Sequence, residues 1–248
     1  WNDDGGDYTT NPFMRMADAA PEVVVSINAS PSNMGKREQR HQVFADSARR
    51  HDLTILYVNQ IGGHDQIVYD GASFAVEPER GVVFEANRFV EDIRTLQLRE
   101  GHFSLVDKKP LTSVPKEGLP TMSFYREQIG LGLRDYARRC GFQKVVVGSS
   151  GGIDSALTLA LAVDAMGADN VVAVTMPSHY SSSGSVDDSV ALCHNLGITL
   201  YTHPIADLVH QYAKQFLSAF EKPLTGLPLE NLQARIRGTI LMEYSNSF

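Results

Sequence analysis

Apolar positions fall into short runs in the first part of the chain and into longer periodic stretches in the second. Val-Val-Val-Ser-Ile-Asn at 23–28 reads as a buried strand, and Thr-Ile-Leu-Tyr-Val-Asn-Gln at 54–60, β-branched and aromatic, as another. Between them the polar stretch 37–51 sets Val43, Phe44, Ser47 and Ala48 on one helical face. Gly62-Gly63 is expected to break the second strand. Residues 72–77 and 82–86 flank Pro78-Glu79-Arg80-Gly81, a hairpin turn. The result is a mixed α/β layer up to about residue 105. Residues 106–122 contain three prolines and no periodicity, and are expected to be a linker.

Beyond the linker the pattern becomes regular. Ile129, Leu133, Tyr136, Ala137 and Cys140 recur at helical spacing, with Gly141 suited to stop the helix. Lys144–Gly148 reads as a strand, and 153–166 is apolar almost all round, as for a helix buried in a layered fold. A strand at 170–176, a helix at 185–196 ended by Gly197 and a strand at 199–202 follow, then helices at 206–220 and 229–245. Strand starts fall about 27 residues apart, which suits strand–helix–strand crossovers and a parallel sheet.

Composition narrows the class. With 43% hydrophobic and 21% charged residues in 248, the chain is globular, neither disordered nor coiled coil. A net charge of −7 argues against a sequence-independent grip on nucleic acid. No apolar run approaches the ~20 residues of a spanning helix, so no membrane role is expected. The two cysteines, Cys140 and Cys193, build no disulfide framework, and a reducing cytoplasm is expected. The eight histidines (41, 51, 64, 102, 179, 194, 203 and 210) lack metal-ligand spacing, and none is assigned to catalysis. Trp1 opens an acidic stretch that is no signal peptide, and Asn246-Ser247-Phe248 carries no helix stop. The chain therefore reads as an internal piece of a longer protein.

The strongest chemical signal is Gly148-Ser149-Ser150-Gly151-Gly152-Ile153-Asp154-Ser155, between a strand and an apolar helix. Adjacent glycines allow a tight turn that aims several N–H groups one way, and the helix N-terminus adds positive charge. Together they form a phosphate cradle, with Ser150 and Ser155 as further donors. No Gly-Lys-Ser/Thr ending follows, and the glycine spacing is not that of a dinucleotide fold. Asp154 would repel phosphate unless a divalent cation lay between, which makes it a candidate Mg²⁺ ligand. The plainer alternative is a Ser/Gly turn with Asp as helix cap.

Ser-Gly-Gly-Ile-Asp-Ser after a strand resembles the pyrophosphate loop of ATP pyrophosphatases. Met176-Pro177-Ser178, Tyr180-Ser181-Ser182-Ser183-Gly184-Ser185 and Glu230-Asn231-Leu232-Gln233-Ala234-Arg235-Ile236-Arg237 follow. The combination resembles the synthetase domain of the NAD synthetase family over about 123–248, a Rossmann-like parallel α/β domain. The resemblance implies ATP at 148–155 and deamido-NAD near the Asn-x-x-Ala-Arg-x-Arg segment. Arg235 and Arg237, two apart, point to different sides of a helix; Asn231 and Arg235 are the favoured substrate contacts.

Residues 1–105 resemble the family's glutaminase domain, part of a nitrilase-like α-β-β-α sandwich. The resemblance rests on Ile27-Asn28-Ala29-Ser30-Pro31, Gly35-Lys36, the stretch 57–63 and Tyr69-Asp70-Gly71-Ala72-Ser73-Phe74. It implies that Ser30 and Lys36 contact glutamine. The family's Glu–Lys–Cys triad is expected upstream of Trp1, which resembles a tryptophan near the nucleophile. Cys140 and Cys193 are expected to be buried or semi-buried thiols. The implied activity is ATP-dependent amidation of deamido-NAD by a homo-oligomer, through an acyl adenylate, with ammonia from glutamine. Another ATP pyrophosphatase, such as a GMP synthetase or a tRNA-thiolating enzyme, is the alternative within the class. A catalytically silent nucleotide-binding fragment is the alternative outside it.

Overall fold

The computed structural model describes residues 9–106, 111, 114, 115, 117–179 and 183–248. The chain forms two compact units, Trp1–Tyr136 and Ala137–Phe248.

In the first unit, α1 (Pro12–Asp18) is followed by β1 (Val24–Asn28), α2 (Lys36–His51) and β2 (Ile55–Asn59). Two hairpin strands come next, β3 (Ile61–His64) and β4 (Ile67–Asp70), then β5 (Phe74–Glu77) and β6 (Gly81–Glu85). β7 (Leu96–Arg99) and β8 (His102–Leu105) form a further hairpin before α3 (Thr121–Cys140). The main sheet has the order β1-β2-β5-β6, with β1 and β2 parallel and the other pairs antiparallel. Phe44 and Ala48 of α2 bury against Tyr57 and Phe74 of this sheet, so the face expected from the polar stretch is the one used. Tyr57 stacks on Phe74 at 4.5 Å, and Phe44 meets both rings edge-on.

Two features of this unit depart from the sequence reading. Gly62 and Gly63 do not end a strand; they lie inside β3, paired with Tyr69 and Val68 of β4. The reason is close approach: a Cβ on Gly63 would sit 3.0 Å from the Cα of Gly132 in α3. α3 buries Phe124 and Leu131 against Phe89, and Asp135 besides; of the expected face Ala137 is buried, whereas Ile129 and Tyr136 stay exposed. The compact units divide inside α3, beyond the stretch 106–122 expected as linker; residues 107–110, 112, 113 and 116 of that stretch lie outside the described residues.

The second unit continues with β9 (Val145–Ser149), α4 (Ile153–Met166), β10 (Val171–Thr175) and α5 (Ser183–Leu196). β11 (Thr199–Thr202), α6 (Ala206–Phe220) and α7 (Leu227–Ser247) complete it. The strands form a parallel sheet in the order β11-β10-β9. Alternation along the strands sends successive residues to opposite faces. Leu159, Ala162, Ala173, Cys193 and Ile198 form one core, and Val174, Met176, Ile205, Val209, Ile236 and Ile240 the other. α4 is not buried all round as its composition suggested. Only Leu159, Ala162 and Ala165 are buried, while Ile153 and Leu157 are 80% and 58% exposed, because the sheet covers just one side of it.

Candidate functional site

β9 ends at Ser149 and α4 begins at Ile153, so a three-residue turn joins them. Gly151 holds a positive φ of 78°, and a Cβ there would lie 2.6 Å from the Cα of Ser185 in α5. Only glycine fits this position, for both backbone and space. Ser155 Oγ accepts from the amide of Ser150 at 3.2 Å and donates to Gly152 O at 2.9 Å. Ser150 Oγ accepts from the Gly152 amide at 3.2 Å and lies 3.0 Å from Ser155 Oγ. Thus the two hydroxyls expected to bind phosphate also hold the turn in shape.

Asp154 is not the helix cap. Gly152 is the N-cap and offers no side-chain hydrogen bond, so the first amides of α4 are left open to a ligand. Asp154 lies in the first turn, exposed. Below the turn, the buried Ser149 hydroxyl donates to Ser189 at 2.8 Å, and Ser189 donates to Ser185 O at 2.9 Å. This pair ties the end of β9 to α5.

A cavity of about 360 Å³ opens beside the turn, lined by Gly148, Ser149 and Ser150, by Thr175, Met176 and Pro177 after β10, by Ser185 and Val186, and by Arg237 and Leu241. Gly148 keeps its floor open: a Cβ there would meet Met176 at 3.3 Å and Leu241 at 3.4 Å. The site is therefore part apolar slot, part amide cradle, a form that suits a nucleotide.

α7 sorts the segment at 231–237. Gln233, Ile236 and Ile240 are buried, which turns Arg237 inward. Asn231 and Arg235 lie on the exposed side, with Arg235 Nη1 donating to Asn231 O at 3.2 Å. Two positions are ~200° of helix rotation, so the two arginines cannot share a face. Arg237 lines the cavity and Arg235 does not. The signal in the sequence was the stripe Ile236–Ile240–Leu241, in whose continuation Arg237 falls.

In the first unit, Ser30 is buried, and its hydroxyl accepts from Arg40 Nε at 3.2 Å. Lys36 opens α2, and its Nζ donates to Gln39 at 3.1 Å. Cys193 is buried, which pushes its thiol up in pKa, as expected of an inert core thiol. Cys140, in contrast, is exposed: it ends α3 just before the left-handed turn at Gly141. Among the described residues no cluster of three His, Cys, Asp or Glu side chains could hold a metal, and no helix is long and apolar enough to cross a membrane.

The family model of NAD synthase matches residues 125–248. The chain belongs to the NAD synthase family. The glutamine-dependent NAD(+) synthetase of Synechocystis sp. is 39% identical to it over 252 residues, which cover 100% of this chain and 44% of the relative. That of Acinetobacter baylyi is 36% identical, over 97% of this chain and 44% of the relative. This NAD synthase family chain thus spans a little under half the length of those relatives. The structure of the Acinetobacter baumannii glutamine-dependent NAD+ synthetase, in complex with ADP, superposes with a TM-score of 0.85 at 36% identity, over 94% of this chain and 43% of the other. The Cytophaga hutchinsonii glutamine-dependent NAD(+) synthetase shares the fold, with a TM-score of 0.73 at 19% identity over 90% of this chain and 44% of the other. Trp1 and the residues 180–182 quoted from the sequence lie outside the described residues.

Proposed function

We propose that the intact protein converts deamido-NAD to NAD at the expense of ATP, with ammonia released from glutamine, and that the second unit binds the ATP. The observation that carries this reading is the β9–α4 turn. Its open helix amides and obligatory glycine lie beside a cavity with an apolar floor. The family membership and the ADP complex of the Acinetobacter baumannii enzyme support the same reading.

The chemistry follows from the cradle. The nicotinate carboxylate of deamido-NAD attacks the α-phosphorus of ATP, the α–β bridging bond breaks and pyrophosphate leaves. Ammonia then attacks the carbonyl of the acyl adenylate, AMP leaves and a proton is lost to give the amide. The amides at the start of α4 stabilise charge on the leaving phosphates and hold them in line. Asn231 and Arg235, exposed on α7, are the candidate contacts for deamido-NAD. Ser30 and Lys36 are the candidate contacts for glutamine in the nitrilase-like first unit, and the thiol nucleophile belongs to neither Cys140 nor Cys193.

The residues at the turn fit Mg²⁺ bound with phosphate. Mg²⁺ needs only one or two carboxylates when phosphate oxygens and water complete its shell, and Asp154 is exposed in the first turn without a side-chain hydrogen bond among the described residues. Such an ion would neutralise phosphate charge. A homo-oligomer is the proposed assembly, supported by Leu208, Tyr212, Phe216 and Phe220, exposed at four-residue spacing on one face of α6. The deciding experiment uses the intact protein with ATP, deamido-NAD and either glutamine or ammonium. NAD and pyrophosphate should appear in equal amounts from both nitrogen sources, and Asp154→Asn should reduce both rates by at least tenfold. Undiminished turnover by Asp154→Asn would remove the ion-binding role, and no NAD from either source would remove the function.

A further inference from the structure

Four arginines among the described residues are buried or half-buried: Arg37, Arg40, Arg88 and Arg237. The first three have carboxylate partners. Arg37 pairs with Glu85 at 2.6 Å, and Arg40 and Arg88 each pair with Asp70 at 2.8 Å. Arg237 has none among the described residues. Its one hydrogen bond there runs from Nε to Met176 O at 3.3 Å, which leaves Nη1 and Nη2 without a protein acceptor. Partial burial of a cation with no counter-charge is unfavourable, and here burial alone pushes the guanidinium down in pKa. The three arginines of the first unit show how this chain otherwise compensates such groups.

The place of that uncompensated cation is informative. Arg237 shares its cavity with Gly148, Ser149 and Ser150, and with the first turn of α5 at Ser185 and Val186. The bond to Met176 O anchors the guanidinium at the end of β10, where a parallel α/β sheet presents its ligands. The planar fork then has a free edge of two nitrogens, a geometry that matches an oxyanion in bidentate fashion. The open amides of α4 and the Arg237 fork both lack a partner among the described residues, and phosphate is a ligand that suits each.

We propose that Arg237 is a direct contact for a phosphate group of the nucleotide held at the β9–α4 turn. This rests on the reading of that turn as the ATP site. It divides the Arg-x-Arg pair by task, with Arg237 on the nucleotide phosphate and Arg235, on the far face of α7, free for the other substrate. The competing account is packing alone, the aliphatic stem of Arg237 covering Leu241 and Met176 while the charge faces solvent.

The test is calorimetric titration of the intact protein with ADP and, separately, with inorganic pyrophosphate, which has no base or sugar. Arg237→Met keeps the stem and removes the charge. It should weaken ADP and pyrophosphate alike, by about tenfold to a hundredfold, the scale of a hydrogen bond to a charged group. Arg237→Lys keeps the charge without the fork and should fall between. Thermal melts of each variant without ligand separate unfolding from lost contact. If Arg237→Met loses ADP but keeps pyrophosphate, or keeps both, the phosphate contact is overturned while the reading of the turn survives. If wild type binds neither ligand, the reading of the turn fails and the inference with it.

Discussion

Asp70 is fully buried in the first unit and serves two cations. One of its oxygens accepts from Arg40 Nη1 at 2.8 Å, and the other accepts from Arg88 Nε and Nη2 at 3.2 and 2.8 Å. Arg40, 1% exposed, also donates to the carbonyls of Ser30 and Pro31. The same carboxylate therefore supports the segment that carries Ser30. An asparagine in its place strands Arg40 in the interior, and breaking one side of a buried pair costs about 3–5 kcal/mol. The variant Asp70→Asn should show that loss in urea unfolding. A loss under about 1 kcal/mol would show that Arg40 finds other acceptors.

A second residue-scale case is pH-dependent. Glu77, 1% exposed, accepts from the Phe103 amide at 2.8 Å and faces His102 Nδ1 at 3.0 Å and Arg80 Nη1 at 3.1 Å. Burial pushes its carboxyl up, but the His102 and Phe103 hydrogen bonds and the nearby charges of Arg80 and His102 outweigh it and hold the group below its ordinary 4.5. A carboxyl depressed in the folded state adds stability above its unfolded pKa and loses it as pH falls through the folded value. Unfolding free energy should therefore fall on acidification below about pH 4.5, and Glu77→Gln should make that fall shallower. Equal slopes for the two proteins would assign the acid sensitivity to other carboxylates.

At the scale of elements, α3 shows how packing selects a face that periodicity does not. Of Ile129, Leu133, Tyr136, Ala137 and Cys140, which recur at helical spacing, only Ala137 is buried, while Phe124, Leu131 and Asp135 are buried as well. The β3–β4 hairpin decides this. Gly63 brings its backbone against Gly132, and the Gly63 amide donates to Asp135 at 2.7 Å. Gly63→Ala would push a methyl into the Gly132 backbone, which cannot rotate away, so a loss of about 1–3 kcal/mol is expected. Gly132→Ala meets only the end of Val68, at 3.2 Å, and gains about 1 kcal/mol of helix propensity. Melting temperatures should therefore separate the two alanines, with Gly63→Ala the less stable. A reversed order would mean that the hairpin and α3 separate easily.

At the scale of the whole molecule, the two units divide the proposed reaction. Lys36 lies in the first and the β9–α4 turn proposed for ATP in the second. In the intact protein Lys36→Ala should lower glutamine-dependent synthesis by about one to two decades, the scale of a lost charged hydrogen bond. Ammonium-dependent synthesis should stay within about threefold of wild type, since it bypasses glutamine hydrolysis. A parallel fall in both rates would make Lys36 a stability residue, and no change in either would make it a solvated lysine.

The sequence alone determined what depends on neighbours along the chain. The strand–turn–helix at 145–166, the parallel strands at 171–175 and 199–202 and the hairpin about Pro78–Gly81 all follow from local propensity and spacing, and each formed where it was read. Family membership was legible for the same reason, since the glycine-rich turn and the 230–237 segment are contiguous motifs. Tertiary structure alone decided which side of each element meets another. It kept Gly62 and Gly63 in a strand, left Cys140 exposed and half-uncovered α4. It also turned Arg237 rather than Arg235 toward the cavity beside the β9–α4 turn. A helix reports its own period, but its rotation is set by distant residues that bury against it, and no local pattern records where those residues lie.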